Sequence, residues 1–200
     1  MKFNLIVCTY RRSKAIERLM QSVKEQTLYP DEILVIDASP NDLTKKLLEV
    51  KKYPALKYFK VGKENSGLTR QRNFGIKHSA KAMDVLCFLD DDIVLELNYF
   101  EKLIASYKQY PDAIGVGGQI KDDVNWRKVP ANYKAQFKEF VIDNYVRPLG
   151  QRNVLRKSLG LLSDKPPGFM PDFSHGFSTG FLPPSGEIYP VELFMGGVAS

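Results

Sequence analysis

Over roughly the first 120 residues, short apolar runs alternate with segments whose apolar residues recur at helical spacing. That alternation restricts the chain to strand-helix-strand units building a mainly parallel sheet. The strands are expected at FNLIVC (3–8), EILVID (32–37), LKYFKV (56–61), DVLCFL (84–89) and AIGVGG (113–118). Each is short, and several are rich in β-branched or aromatic residues. Helices are expected at 14–26, 43–52, 67–79 and 98–110, the last stopping before Pro111. Ser13 is placed to cap the first, where Ile16, Leu19, Met20 and Val23 share a face, and Asn41 or Asp42 to cap the second.

After Gly118 the alternation stops. The spacing of Tyr133, Phe137, Phe140 and Val141 predicts a helix over 131–145. Its stripe fits a core face, and Lys134 and Lys138 beside the aromatics also permit a membrane-surface role, weakened by Glu139 and Asp143. Residues 148–187 contain six prolines and six glycines, which predicts a long loop or irregular hairpin. Phe169, Phe173, Phe177 and Phe181 recur there every fourth position. On an extended backbone that spacing puts all four rings on one face.

A chain of 200 residues suits one domain, with a boundary expected near residue 120 between a ligand-binding subdomain (1–120) and a second region (121–200). With 44% hydrophobic and 26% charged residues the composition is globular, and no apolar run nears the ~20 residues of a spanning helix. The opening MKFNLIVCTYRR reads as a strand meeting Arg11 and Arg12 instead of a cleavage site. Cys8 and Cys87 fall inside predicted buried strands and look like small core residues of a cytoplasmic protein. A net charge of +6 favours anionic partners. The basic residues are dispersed, and no nucleic-acid-binding motif accompanies them, so nucleic acid is not an expected partner.

In open parallel sheets ligands bind beyond the carboxyl ends of the strands, and polar groups gather at those ends here. Thr9, Tyr10 and Arg11 follow the first strand, Asp37 closes the second, and NSGLTRQRNFG (65–75) follows the third. Arg70 and Arg72 in that stretch carry guanidinium groups shaped to grip phosphate oxygens, although exposed arginines on a helix can simply be solvated. LCFLDDDIVL (86–95) ends the fourth strand in Asp90, Asp91 and Asp92. Three adjacent carboxylates repel one another, so the cluster is either a solvated turn or a site for a hard divalent cation. No GxGxxG fingerprint, P-loop, zinc-ligand cluster or Gly-x-Ser-x-Gly elbow is present.

Taken together, VCTYRR (7–12), VIDASPND (35–42), NSGLTRQRNFGI (65–76) and FLDDD (88–92) resemble, in order and spacing, the nucleotide-sugar-binding half of family 2 glycosyltransferases, which have the GT-A fold. PVELFMGG (190–197) looks like that family's acceptor-side segment. The resemblance implies a Rossmann-like open sheet flanked by helices, with an irregular acceptor-side C-terminal part. It implies that Thr9, Tyr10, Arg11 and Asp37 contact the nucleoside, that Arg70 and Arg72 support the nucleotide, and that Asp90 approaches the ribose. Asp91 supports one of its neighbours, and Asp92 binds Mn2+ or Mg2+ at the diphosphate.

Such enzymes are inverting and need a carboxylate base to take the acceptor proton. The family's base motif follows the Gly-Gly segment, and no matching motif is found by Ser200, so no catalytic residue is assigned. The expectation is a transferase acting from a nucleotide-sugar donor, a UDP-sugar by preference, on a glycan or lipid-linked acceptor in polysaccharide or glycoconjugate synthesis. It is placed in the cytoplasm, with a peripheral contact at the inner membrane face as a secondary expectation. The alternative is a truncated module that binds the donor without catalysis.

Overall fold

The computed structural model describes residues 1–120, 125–193 and 198–199. They fall into two compact units, Met1–Gly118 with Gly196–Ser200, and Gln119–Met195. The first unit runs β1 (Phe3–Thr9), α1 (Ser13–Lys24), β2 (Glu32–Asp37), α2 (Leu43–Lys51), β3 (Leu56–Lys60), α3 (Leu68–His78), β4 (Val85–Asp90) and α4 (Tyr99–Gln109). Its four main strands are parallel in the order β3-β2-β1-β4, and Val198–Ala199 adds a short antiparallel strand against β4.

β1 and β2 are apolar almost throughout because both faces of the sheet are covered. Strand alternation assigns the faces. Phe3, Leu5 and Val7 of β1 and Ile33 and Val35 of β2 cluster with Ile16, Leu19, Met20 and Val23 of α1 and Phe100, Leu103 and Ile104 of α4. Ile6, Leu34 and Ile36 face the other way, with Phe59, Phe74 and Phe88 packed on them. The chain moves outward from β1 to β3, then passes back to the far side of β1 for β4. Since parallel crossovers are right-handed, that reversal carries α3 to the opposite face from α1 and α2. α3 lies so close to the sheet that a Cβ on Gly75 would stand 2.6 Å from Ile6 Cγ2. The reversal leaves a crevice at the carboxyl ends of β1 and β4.

Two local expectations change and a third is narrowed to one of its alternatives. Ser13 lies inside α1, and Arg12 holds the cap position, its carbonyl accepting the Ala15 and Ile16 N–H groups at 3.0 and 3.1 Å. Before α2 it is Asn41 Oδ1 that accepts the Leu43 N–H, at 3.3 Å, while the Asp42 carboxylate turns to Lys60 at 2.9 Å. Residues 113–118 form no strand. Ile114 is fully exposed, and the place beside Phe88 and Leu89 is taken by Ala199 and Val198. Val116 packs against the core, but a run of small residues around one outward isoleucine offers no continuous strand face.

The second unit holds a three-stranded antiparallel sheet ordered β5-β7-β6, from β5 (Arg127–Lys128), β6 (Glu139–Ile142) and β7 (Tyr145–Pro148), followed by α5 (Gln151–Ser158). The helix expected over 131–145 is therefore a hairpin. Asp143 and Asn144 both have positive φ, 47° and 62°, and form a two-residue loop between the paired Ile142 and Tyr145. That is the turn whose twist suits a hairpin, and Asp and Asn tolerate it. The phenylalanine quartet divides as well. Phe177 and Phe181 pack on Phe140 at 4.6 and 5.3 Å between ring centroids, whereas Phe173 is 77% exposed. Part of the predicted 148–187 loop is instead α5. Residues 194–197 of the PVELFMGG segment lie outside the described residues.

Candidate functional site

The residues singled out at the strand ends of the first unit meet through the sheet register. Thr9 stands opposite Asp37, and Cys8 opposite Asp90. One residue further, Asp91 reaches Thr9, whose hydroxyl donates to Asp91 Oδ2 at 2.6 Å. Asp91 is almost completely buried, and its other oxygen accepts Arg12 Nη1 at 3.1 Å. The same nitrogen reaches Asp92 Oδ2 at 2.8 Å. Arg12 is thereby a bridge between two of the three aspartates, and the hydrogen bond to Asp91, followed by the charges of Asp91 and Asp92, raises its pKa. The third, Asp90, pairs with Arg72 Nη2 at 3.2 Å, and that guanidinium also lies over the Phe88 ring.

Asp37 is wholly enclosed. Its Oδ1 accepts the Ser39 N–H at 2.7 Å and its Oδ2 the Tyr58 hydroxyl at 2.8 Å. Burial first, and then this bond to a carboxylate, push the Tyr58 hydroxyl pKa up. Ser39 Oγ accepts the Arg11 N–H at 2.7 Å, which ties the turn after β2 to the turn after β1. Arg11 has φ 57°, and its guanidinium lies over the half-exposed ring of Tyr10. Arg70, on the first turn of α3, is exposed and makes no ion pair among the described residues.

Sequence reasoning passed over Gln71. It is buried, and its Nε2 donates to the carbonyls of Ile36 at 2.8 Å and Thr9 at 3.1 Å, joining the ends of β2 and β1. Its Oε1 accepts the Gly67 N–H at 3.3 Å, and Gly67 takes φ 110°, a backbone state natural only to glycine. A signal was present: Gly67, Gln71 and Gly75 recur every fourth residue, marking the face that α3 lays against the sheet. Arg12 was quoted in the VCTYRR stretch without a role. Tyr58 and Ser39 carried no local signal.

Cys8 is partly buried beside this cluster. Burial pushes its thiol up to about 12, Arg72 works against that, and Asp90 and Asp91 add to it. It is no nucleophile at neutral pH. Among the described residues no three His, Cys, Asp or Glu side chains gather into a metal cage. The arrangement offers one half-exposed carboxylate, Asp92, one half-exposed carboxylate with an arginine, Asp90 with Arg72, and an aromatic ring at the rim, Tyr10. Such a rim suits a ligand with a flat base and negatively charged oxygens.

Over residues 4–178 the chain matches the family described as Glycosyl transferase family 2. It is 29% identical over 131 residues to the glucosyl-dolichyl phosphate glucuronosyltransferase of Haloferax volcanii, a span of 64% of this chain and 41% of that one. To the poly(ribitol-phosphate) beta-N-acetylglucosaminyltransferase TarP of Staphylococcus aureus it is 36% identical over 105 residues, 51% of this chain and 32% of that one. The matched region is thus less than half of either relative. Among solved structures, S. aureus TarS 1–349 in complex with UDP-GlcNAc shares the fold with a TM-score of 0.51 at 20% identity, covering 80% of this chain and 48% of that one.

Proposed function

This chain belongs to glycosyl transferase family 2 and has the GT-A fold, and from that premise we propose that it binds a nucleotide-sugar at the carboxyl ends of β1, β2 and β4 for transfer to an acceptor hydroxyl in glycoconjugate synthesis. The observation carrying this is the convergence of Thr9, Asp37, Arg72 and Asp90 to Asp92 on the crevice where the strand order reverses. In this reading the Thr9–Arg11 turn and the Tyr10 ring line the base. Asp37, enclosed as it is, serves the base edge by fixing the Ser39 turn. Asp90 meets the ribose, Arg70 and Arg72 face the nucleotide's phosphates, and Asp91 holds Thr9 and Arg12 in place. A UDP-sugar is the preferred donor.

A hard cation fits Asp92, which is half exposed and held only by the Arg12 guanidinium it shares, because Asp91 is buried and engaged by both Thr9 and Arg12. One protein carboxylate would suffice, since Mg2+ and similar ions are commonly bound through one or two carboxylates. Asp92 would hold Mn2+ or Mg2+, and the ion would supply positive charge opposite that of the departing nucleoside diphosphate. Transfer is a single inverting displacement by the acceptor hydroxyl. Its base is not assigned among these residues. The H. volcanii and S. aureus relatives name glucosyl-dolichyl phosphate and poly(ribitol-phosphate), and we extend to this chain an acceptor that carries phosphate. The reaction is placed on the cytoplasmic side, where free Cys8 and Cys87 are at home. No helix among the described residues is long and apolar enough to cross a membrane.

Calorimetric titration of UDP with and without Mn2+ tests the assignment. Asp92→Asn should remove at least about tenfold of the metal-dependent affinity, or ~1.4 kcal/mol, while the unfolding midpoint hardly moves. Equal metal-dependent affinity in both proteins refutes the site.

A further inference from the structure

On the β1–α1 side lies a shallow, open cleft of about 430 Å³ lined by Arg11, Arg12, Lys14, Arg18 and Asp92. Its charges do not balance. The single carboxylate is held by Arg12, which also grips Asp91. Arg11, Lys14 and Arg18 are exposed and make no ion pair among the described residues. Lys14 and Arg18 are four apart on α1, where like charges repel. The nearest acid on that helix, Glu17, turns instead to Lys51 at 3.6 Å. Three uncompensated cations around one concavity, two of them guanidinium forks, match the tetrahedral oxygens of a phosphate group. The volume admits a phosphate together with a sugar or polyol unit.

The geometry points to a phosphate subsite in this cleft that takes the phosphate of the acceptor, separate from the donor's diphosphate. It rests on the nucleotide-sugar reading for the identity of the reaction. Arg70 and Arg72, assigned to the donor, belong to α3, whereas the cleft is built from the turn after β1, the first turns of α1 and the turn after β4. The two share Arg11, from the turn assigned to the base, and Asp92, whereas Lys14 and Arg18 belong to the cleft alone. An acceptor anchored here by its phosphate lies one carboxylate away from the departing diphosphate, and the cations keep two anionic substrates from repelling each other.

The test is 31P NMR titration of the full chain with glycerol 1-phosphate at low ionic strength, with saturating UDP and Mg2+, alongside calorimetry for UDP. Low salt is needed because exposed charges are screened beyond about 10 Å at 0.1 M. The expected result is that glycerol 1-phosphate binds together with UDP. The double variant Lys14→Ala, Arg18→Ala then loses at least tenfold of the glycerol phosphate affinity and keeps UDP affinity within twofold. The charge-conserving pair Lys14→Arg, Arg18→Lys restores most of the loss. If the alanine pair weakens UDP as much as glycerol phosphate, the cleft belongs to the donor and the inference is overturned. It is equally overturned if wild type binds no glycerol phosphate, or if the alanine pair changes neither ligand. If UDP fails to bind wild type while glycerol phosphate binds through Lys14 and Arg18, the subsite stands and the donor assignment fails.

Discussion

Replacing Gln71 by methionine keeps its volume and removes its amide. The side chain is buried, with donor bonds to the Ile36 carbonyl at 2.8 Å and the Thr9 carbonyl at 3.1 Å and an acceptor bond from Gly67 at 3.3 Å. Thr9 keeps a second partner, since its carbonyl also accepts the Ala38 N–H at 3.1 Å. The Ile36 carbonyl likewise stays in the β1–β2 ladder through the Thr9–Asp37 register, and the exposed Gly67 N–H turns to water, so the loss is that of the Gln71 bonds themselves. At about 1 kcal/mol for each of the three bonds, the total is roughly 2–3 kcal/mol. With a urea slope of ~2 kcal/mol/M the midpoint should fall by about 1–1.5 M. Trp126 is the one tryptophan and sits in the second unit, so the readout is far-UV circular dichroism with hydrogen exchange over residues 3–9 and 32–37. Faster exchange should concentrate at the ends of β1 and β2. A midpoint shift below about 0.3 M (roughly 0.6 kcal/mol at that slope) would mean that Gln71 does not tie the strands, and the account of α3 would fail.

Other perturbations give distinct signatures. Burial holds both thiols up at about 12, so at pH 8 the thiolate fraction is about 10⁻⁴, and iodoacetamide should label Cys8 and Cys87 only after denaturation; rapid native labelling of Cys8 would contradict its setting. Glu32 is buried, which raises its pKa, but the Lys57 ammonium at 2.6 Å, the Ala80 N–H and the Asn4 amide outweigh burial and lower it. Its folded pKa lies below the unfolded one, so its contribution is complete above roughly pH 5 and disappears as the pH falls through the native value. Glu32→Gln should flatten stability against pH in that acidic window, as measured by urea titrations at pH 3 to 6. Asn144→Gly should stabilise the β6–β7 hairpin by about 0.5 kcal/mol, because glycine carries φ 62° without strain; thermal unfolding followed by Trp126 fluorescence checks it.

What the sequence revealed and what it hid follow from which interactions are local. β1 and β2 were legible because strands buried on both faces read as continuous apolar runs, and α1 because its stripe has one period. Tyr133, Phe137, Phe140 and Val141 fit that helical period too, yet the decisive residues were Asp143 and Asn144, which make the only two-residue turn able to join EFVI to YVRP. The aspartates at the end of β4 were visible as a cluster. Their partners were not, since Arg12 lies 79 residues from Asp91 in sequence and meets it only through the register of β1 on β4. Gln71 was masked by the arginines on either side, although it alone of the three turns inward.

The three aspartates are better understood as two settings than as one cluster, and the period of two residues in a strand explains the division. Phe88 faces the α3 side of the sheet, so Asp90, two residues on, faces it as well and finds Arg72 of α3. Leu89 faces the α1 side, so Asp91 continues that way, to Thr9 on the same side of β1 and to Arg12 at the start of α1. The alternation runs one residue past the hydrogen-bonded ladder and sends neighbouring charges to opposite faces, where different arginines meet them. Mutual repulsion is thereby offset from within the chain, and the strand end needs no external ion to assemble. Asp92 alone is both half exposed and served by a guanidinium it shares. Under the proposed donor reading, a cation at Asp92 would have to displace the Arg12 guanidinium, which keeps its bond to Asp91.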